Sequence, residues 1–200
     1  MQPNTDPYLI EQTLKGDTKA FGELVERYQA FVYTIVIRIV KVREEAEEVA
    51  QDTFIKAFQS LSSYRGESKF SSWLYSIAYR KALDALRKNK KNSSLELIEE
   101  ITEGDCSVIE NALTYIEDQE RSEVIKKCIL ELPEKEAAII TLFYFEEQSI
   151  KEIAKITQLT EDNIKVKLYR SRKKLFSLLK HYILPEAYNT NDVNLNSLLI

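Results

Sequence analysis

The stretch SIKEIAKITQLTEDNIKVKLYRSRKKLFSLLK, residues Ser149–Lys180, decides the fold of the C-terminal part of the chain. Its first residue, Ser149, is followed three positions later by Glu152, and this spacing forms a capping box that predicts the start of a helix. The segment Gln158–Thr160 predicts a short turn, because Thr can cap the helix that follows it. That second helix is predicted from Glu161 to about Tyr182. The stretch therefore predicts a helix-turn-helix.

The second helix of this motif is apolar on one side and basic on the other. Between Glu161 and Lys180 there are seven basic and two acidic residues. An apolar back and a cationic front suit the major groove of DNA, where Lys and Arg contact phosphates and guanine edges. The alternatives are a solvated basic helix or one that binds a protein partner. The inner stripe consists of Ile164, Leu168, Ser171, Leu175 and Leu178, and the opposite face holds Asp162, Val166, Tyr169, Arg170 and Lys173.

Composition and charge extend this picture to the whole chain. The 200 residues are 44% hydrophobic and 30% charged, with only 4 Gly and 4 Pro, which favours an all-α protein with buried cores. The net charge of −4 is unevenly distributed, because residues 91–120 carry −8 and residues 121–182 carry +4. We expect two small helical domains at 1–92 and 115–182, joined by a flexible acidic linker at 93–114, and a tail at 183–200.

The N-terminal domain is predicted to consist of four helices. The first runs from Pro7 to Lys15 and the second begins at Thr18. The third spans about Glu44 to Leu61, and we expect its inward face to hold Ala46, Val49, Ala50, Thr53, Phe54, Ala57, Phe58 and Leu61. A polar loop and a fourth helix from about Lys69 to Arg87 follow. In the second half, helices are expected from near Ile109 to Leu132 and from Glu134 to Phe145.

Several classes of function are disfavoured. His181 is the only histidine, and neither Cys106 nor Cys128 has a His or Cys neighbour at metal-ligand spacing, so we expect no metal, no cofactor and no catalytic residue. No glycine-rich phosphate loop is present. The N-terminus does not resemble a signal peptide, and no stretch approaches the roughly 18 apolar residues of a membrane span. These features predict a cytoplasmic protein that is not an enzyme and makes no membrane contact of its own.

Two groups of motifs resemble regions two and four of bacterial sigma factors, in the order found in the small extracytoplasmic-function class. The region-two likeness covers Glu45–Phe58, Tyr64–Glu67 and Phe70–Ala78. The region-four likeness covers Leu132-Pro133-Glu134, Ile150–Ala154 and Ile164–Leu175. The resemblance implies a promoter-specificity subunit that binds core RNA polymerase, recognises promoter DNA, both duplex and melted non-template strand, and starts transcription. An anti-sigma factor is a usual partner in this class.

The resemblance also implies roles for individual residues. Region four would read the upstream, minus-thirty-five element through Lys165, Val166, Tyr169 and Arg170. The start, exposed face and flanks of the same helix add further candidates for this contact, namely Asp162, Asn163, Lys167, Arg172 and Lys173. The outer face of the third helix would bind the polymerase through Glu48, Gln51, Asp52 and Ile55. The loop and the fourth helix would capture a flipped base of the downstream, minus-ten element through Tyr64, Arg65, Lys69, Ser71, Ser72, Tyr75 and Arg80.

Two positions depart from the family pattern. Arg80 stands where many relatives carry Asn, and Gln158 stands where relatives often have Gly in the turn. One alternative function remains open at this point, a helix-turn-helix transcription regulator that acts without being a polymerase subunit. Co-purification with core polymerase distinguishes the two functions.

Overall fold

Helical periodicity dominates the part of the chain that the structure describes. The computed structural model describes residues 4–90 and 118–183, and no residue in these two ranges lies in a β-strand. Eight α-helices and one 3-10 turn, Leu61–Ser63, occur within them. The helices are α1 (Asp6–Leu14), α2 (Thr18–Val40), α3 (Arg43–Ser60), α4 (Phe70–Lys90), α5 (Asp118–Glu131), α6 (Glu134–Tyr144), α7 (Ile150–Thr157) and α8 (Glu161–Ile183).

The first four helices form an N-terminal group in which α2 packs against α1, α3 and α4. The helix α2 begins where the Asp17 side chain accepts a hydrogen bond of 2.9 Å from the backbone N–H of Lys19. It ends at Lys41, whose φ of 64° lies in the left-handed region and reverses the chain. Leu24 on α2 and Leu74 on α4 are completely buried in the core of this group.

The last four helices form a C-terminal group around α6. All six residues from Ala137 to Leu142 are buried. A helix at the protein surface would expose one face, so other elements must surround α6 on all sides. The helix α6 is covered by α5, α7 and α8 from its own group and by α2 from the other group. It therefore lies at the centre of the described structure.

The two groups pack directly against each other, with α2 on α6 and α4 on α7. Arg38 of α2 is only 7% exposed and donates a hydrogen bond of 2.8 Å from Nη1 to the carbonyl oxygen of Lys126. Lys41 donates from Nζ to the carbonyl oxygen of Leu132 at 3.0 Å. The sequence predicted two helical groups, but it gave no indication of this contact between them.

The predicted helices are present with boundaries that differ by a few residues at most, within the described ranges. One inward position is wrong, because the predicted core residue Phe58 is 45% exposed and meets Phe21 edge-on at a ring-centroid distance of 5.0 Å. Small residues such as Ala46 and Ala57 make the close contacts of α3, so its buried stripe is narrower than predicted. The acidic linker at 93–114, the helix start near Ile109 and the tail at 183–200, apart from its first residue Ile183 at the end of α8, lie outside the described residues.

None of the helices in the described ranges has the length and apolar character needed to cross a membrane.

Candidate nucleic-acid interface

The helix-turn-helix of α7 and α8 is fixed by local chemistry that the sequence predicted. Ser149 accepts a hydrogen bond of 3.2 Å from the backbone N–H of Glu152, and the Glu152 carboxylate accepts one of 3.0 Å from the backbone N–H of Ser149. In the turn, Gln158 adopts a left-handed conformation with φ of 60°. The hydroxyl of Thr160 then caps α8 by accepting from the backbone N–H of Asn163 at 3.3 Å. A non-glycine turn residue is therefore compatible with this helix crossing.

The outward face of α8 presents the residues expected to read the upstream element. Val166 and Tyr169 are 47% and 44% exposed, which is unusual for large side chains with apolar surface. Arg170 is exposed beside them. Lys165 pairs with Asp162 at 3.1 Å, and the ammonium of Lys173 lies 5.3 Å from the centre of the Tyr169 ring. Asn163 is exposed at the start of the same helix.

Two of the residues predicted to contact DNA also contact α6 in this structure. Arg172 donates a hydrogen bond of 2.7 Å from Nε to the Tyr144 hydroxyl, and its guanidinium lies over the rings of Phe143 and Tyr144. Lys167 lies 3.8 Å from the carboxylate of Glu136, and both side chains are largely covered. Charge periodicity alone could not distinguish these inward cations from the outward ones. Within this structure Arg172 and Lys167 hold α8 against α6, which the sequence did not predict.

We predict that Arg172→Ala destabilises the protein by about 1–2 kcal/mol. The change removes one hydrogen bond, worth about 1 kcal/mol, and a cation–π contact worth about 0.5–1 kcal/mol at a partly exposed site. Denaturant unfolding followed by circular dichroism measures the effect. Arg170→Ala on the exposed face is the matched control and should change stability by less than about 0.5 kcal/mol. Equal stability of the two variants would contradict the bracing role of Arg172.

The loop between the 3-10 turn and α4 is organised by Tyr64. Its hydroxyl donates a hydrogen bond of 2.6 Å to the carbonyl oxygen of Ser68. Its ring packs against Phe70 and Trp73, with centroid distances of 5.7 and 5.4 Å. Phe70 is buried in the core. Tyr64 was predicted to stack on a base, and in this structure its ring is part of an intramolecular aromatic cluster.

Ser72 and Tyr75, two further residues predicted to contact the downstream strand, are buried and donate hydrogen bonds to the loop that connects α6 and α7. Ser72 is 5% exposed and donates a hydrogen bond of 3.0 Å to Oε1 of Gln148. Tyr75 is 2% exposed and donates one of 2.9 Å to Oε2 of Glu146. Burial raises the pKa of the Glu146 carboxyl to about 7, and the hydrogen bond from Tyr75 opposes part of this rise. Burial also raises the pKa of Tyr75, so its hydroxyl stays a donor at neutral pH.

The remaining downstream candidates surround this covered site. Arg65 is exposed in the loop, and Ser71 is half-buried at the start of α4. The Lys69 side chain is 71% exposed and lies 4.0 Å from the carboxylate of Glu152. Arg80 is exposed and folds back on Ser76, donating from Nε to its carbonyl oxygen at 2.9 Å. Three cations therefore lie near the start of α4 and along its exposed side.

The outer face of α3 carries the residues predicted to contact the polymerase. Glu48, Gln51 and Asp52 are exposed, and Ile55 is 55% exposed among them. Asp52 is paired with Lys81 of α4 at 2.8 Å. The face is thus accessible, predominantly acidic, and contains one large apolar side chain.

The sequence analysis did not identify Glu146 and Gln148, which accept hydrogen bonds from Ser72 and Tyr75 of α4, as residues of the downstream-strand site. They lie in a polar stretch just before the capping box, which indicates a loop and nothing more. Their importance arises from a contact with α4, more than seventy positions earlier in the chain, and no local pattern encodes such a contact.

Comparison with known proteins identifies both halves of the chain. The family model described as "Sigma-70 region 2" matches residues 24–92, and the model described as "Sigma-70, region 4" matches residues 122–175. The chain is 33% identical over 180 residues to the ECF RNA polymerase sigma factor SigW of Bacillus subtilis, covering 86% of this chain and 95% of that one. It is 34% identical over 175 residues to the ECF RNA polymerase sigma-E factor of Escherichia coli K12, covering 84% and 91%.

The fold is also similar to that of a solved sigma factor. The sigma factor RpoE of Bartonella quintana, determined in complex with the anti-sigma factor NepR, aligns with a TM-score of 0.62 at 23% identity. The alignment covers 82% of this chain and 98% of that one. This likeness supports the arrangement of helices.

Proposed function

This chain belongs to the sigma-70 family, as a sigma factor of the extracytoplasmic-function class. From this premise we propose which of its surfaces contact the polymerase, the duplex promoter DNA and the melted strand. As a member of this family the protein binds core RNA polymerase, recognises promoter DNA and starts transcription. Its two helical groups correspond to regions two and four.

We assign upstream-element reading to the exposed face of α8. Arg170 can donate two hydrogen bonds to a guanine edge, and Val166 can contact a thymine methyl group. Lys165 and Lys173 neutralise phosphates on either side. Asp162 and Asn163 lie at the N-terminus of α8, where recognition helices enter the major groove. The single observation that carries this proposal is the exposed Val166, Tyr169 and Arg170 on the second helix of a capped helix-turn-helix.

We assign capture of the melted non-template strand to the start of α4 and the loop before it. A flipped base needs a pocket with polar groups and an aromatic surface, and stacking on such a surface contributes about 1–3 kcal/mol per base. Tyr75 supplies the aromatic ring, and Ser71 and Ser72 supply hydroxyl groups. The three cations Arg65, Lys69 and Arg80 would hold the phosphates.

We assign polymerase binding to the outer face of α3. Interface anchors are commonly large side chains at the centre of a patch whose surroundings exclude water. Ile55 has this position among Glu48, Gln51 and Asp52. The acidic neighbours complement a basic surface on the partner and help orient the encounter.

Run-off transcription tests the proposed function directly. Bacterial core polymerase is incubated with the chain's own genomic DNA, with and without the purified protein, and the transcripts are mapped at their 5′ ends. We expect new start sites that share two sequence elements and that are absent without the protein. If the protein never associates with core polymerase yet binds specific duplex DNA, it is a transcription regulator outside the polymerase.

We also expect an anti-sigma factor as a partner and no catalytic activity of the chain by itself. The support for a partner is that the similar RpoE was solved with the anti-sigma factor NepR. Affinity purification of the protein from cells grown without the inducing signal is the corresponding measurement.

A further inference from the structure

The loop between α6 and α7 lies on the surface that we assign to strand capture. We call residues 145–149 the clasp loop. Two of its side chains, Gln148 and Glu146, accept the hydrogen bonds that Ser72 and Tyr75 donate. Gln148 is itself 6% exposed, and its amide donates to the Glu146 carbonyl oxygen at 2.9 Å, so the loop is internally tied as well.

The clasp loop and a flipped base would need the same groups of α4. Tyr75 is 2% exposed, so no face of its ring is available for stacking while the loop is docked. Ser72 is likewise only 5% exposed, and its hydroxyl donates to Gln148. A base could reach either residue only after the loop has moved away.

We propose that the clasp loop is an intramolecular competitor of the melted promoter strand, so that the free protein masks its own downstream-reading surface. This inference rests on the proposed function, because it takes α4 as the strand-capturing helix. The occupant of the surface is a segment of the same chain, and release of that segment precedes strand binding.

The distance between promoter elements requires this release. The two elements lie roughly 25 base pairs apart, or roughly 85 Å along the duplex. A compact chain of 200 residues has a radius of gyration of roughly 17 Å. With α7 packed against α4, the two reading surfaces cannot reach both elements, so the helix-turn-helix must leave α4 on the promoter.

The contact between the two helical groups is suited to being broken. Besides apolar packing, it contains the hydrogen bonds of the clasp loop, those that Arg38 and Lys41 donate to carbonyl oxygens of the C-terminal group, and the buried charge of Arg38 itself. Burial lowers the pKa of the Arg38 guanidinium, and its Nε is buried without a hydrogen-bond partner among the described residues. A desolvated cation with an unsatisfied donor destabilises the docked arrangement and offsets part of the packing energy. Polymerase contacts can therefore shift the equilibrium towards the released form.

Thiol labelling measures whether the loop covers α4 in the free protein. The two variants are Ser72→Cys and, as a neighbour on the same helix, Ser71→Cys. Each is placed in a Cys106→Ser background, and the remaining native cysteine, Cys128, is fully buried. We expect the thiol at position 72 to react with a maleimide about tenfold more slowly than the thiol at position 71. The double change Glu146→Ala with Gln148→Ala should abolish this difference, since each lost hydrogen bond weakens the contact severalfold. Equal rates without the double change would overturn the proposal.

Strand binding measures whether the loop competes. The probe is a fluorescent oligonucleotide carrying the non-template strand of a promoter mapped by the run-off experiment. The double change should tighten its binding to the free protein about tenfold, because apparent affinity is reduced by the fraction of molecules that are competent to bind. Glu147→Ala, at an exposed position in the same loop, is the matched control and should bind like the unaltered protein. Adding Tyr75→Ala to the double change should remove the gain.

The outcomes separate the inference from its premise. If position 72 becomes reactive while strand affinity stays unchanged, the loop covers α4 without competing, and the inference is wrong while the sigma function stands. If the holoenzyme starts transcription but its strand binding does not depend on Tyr75, the assignment of α4 fails, and the inference fails with it. If no start sites appear with core polymerase, the proposed function itself is rejected.

Discussion

Replacing Arg170 with alanine is expected to weaken binding to the upstream element by about 1–3 kcal/mol, roughly 5- to 150-fold in Kd. Arg170 is exposed on α8 beside Val166 and Tyr169, where a guanidinium can donate two hydrogen bonds to one guanine. Fluorescence anisotropy on duplex DNA from a mapped promoter, at fixed salt, provides the measurement. The loss should be largest for the promoter sequence and small for unrelated duplex, because a base contact carries specificity.

Lys127→Ala is the charge-matched control for this experiment. Lys127 is exposed on α5, outside the helix-turn-helix, so its removal changes the net charge equally and should leave upstream-element affinity almost unaltered. Arg170→Lys separates charge from geometry, because lysine keeps the charge and loses the paired donors. If Arg170→Ala weakened promoter and unrelated DNA by the same factor, Arg170 would be a phosphate contact and would read no base.

The helix-turn-helix could be predicted because its determinants are local. The Ser149–Glu152 capping box operates within four residues, and the buried Ile164 and Leu168 repeat at helical spacing. Even the non-glycine Gln158 fits, because a single left-handed residue can end α7 at modest cost. Such features are encoded by the neighbours of each residue, so reading the chain in order recovers them.

The contacts across the chain could not be predicted in the same way. Arg172 and Arg170 are two positions apart on one helix, yet Arg172 meets Tyr144 while Arg170 is exposed. Tyr75 was expected at the DNA, but it is buried and its hydroxyl donates to Glu146, which comes from another helical group. Periodicity identifies the direction of a side chain from its own helix, but it does not identify the element that covers it. Sequence patterns therefore could not identify the polar groups of the α6–α7 loop that contact Ser72 and Tyr75.

The second large effect is expected at Ile55, where a charged substitution should weaken binding to core polymerase by about 2–4 kcal/mol, roughly 30- to 1,000-fold. Ile55 is 55% exposed on α3, so Ile55→Glu disturbs no packed core and should change unfolding stability by less than about 0.5 kcal/mol. In the complex, however, the new carboxylate would have to lose its water against an apolar partner surface. Asp52 is a poorer target, because its pairing with Lys81 couples any charge reversal to the contact between α3 and α4.

Leu14→Glu provides the matched control, because Leu14 is 54% exposed on α1 and the substitution introduces the same charge at the same degree of exposure. Binding of labelled core polymerase to each variant, measured by anisotropy, should fall for Ile55→Glu and stay unchanged for Leu14→Glu. Upstream-element affinity of the isolated protein should remain intact in both, since α8 is untouched. A similar loss of polymerase binding in the two variants would mean that the polymerase repels added negative charge wherever it lies. The assignment of polymerase binding to the α3 face would then be wrong. A selective loss at Ile55 would instead locate the polymerase on α3, on a helix separate from both DNA-reading helices, α4 and α8.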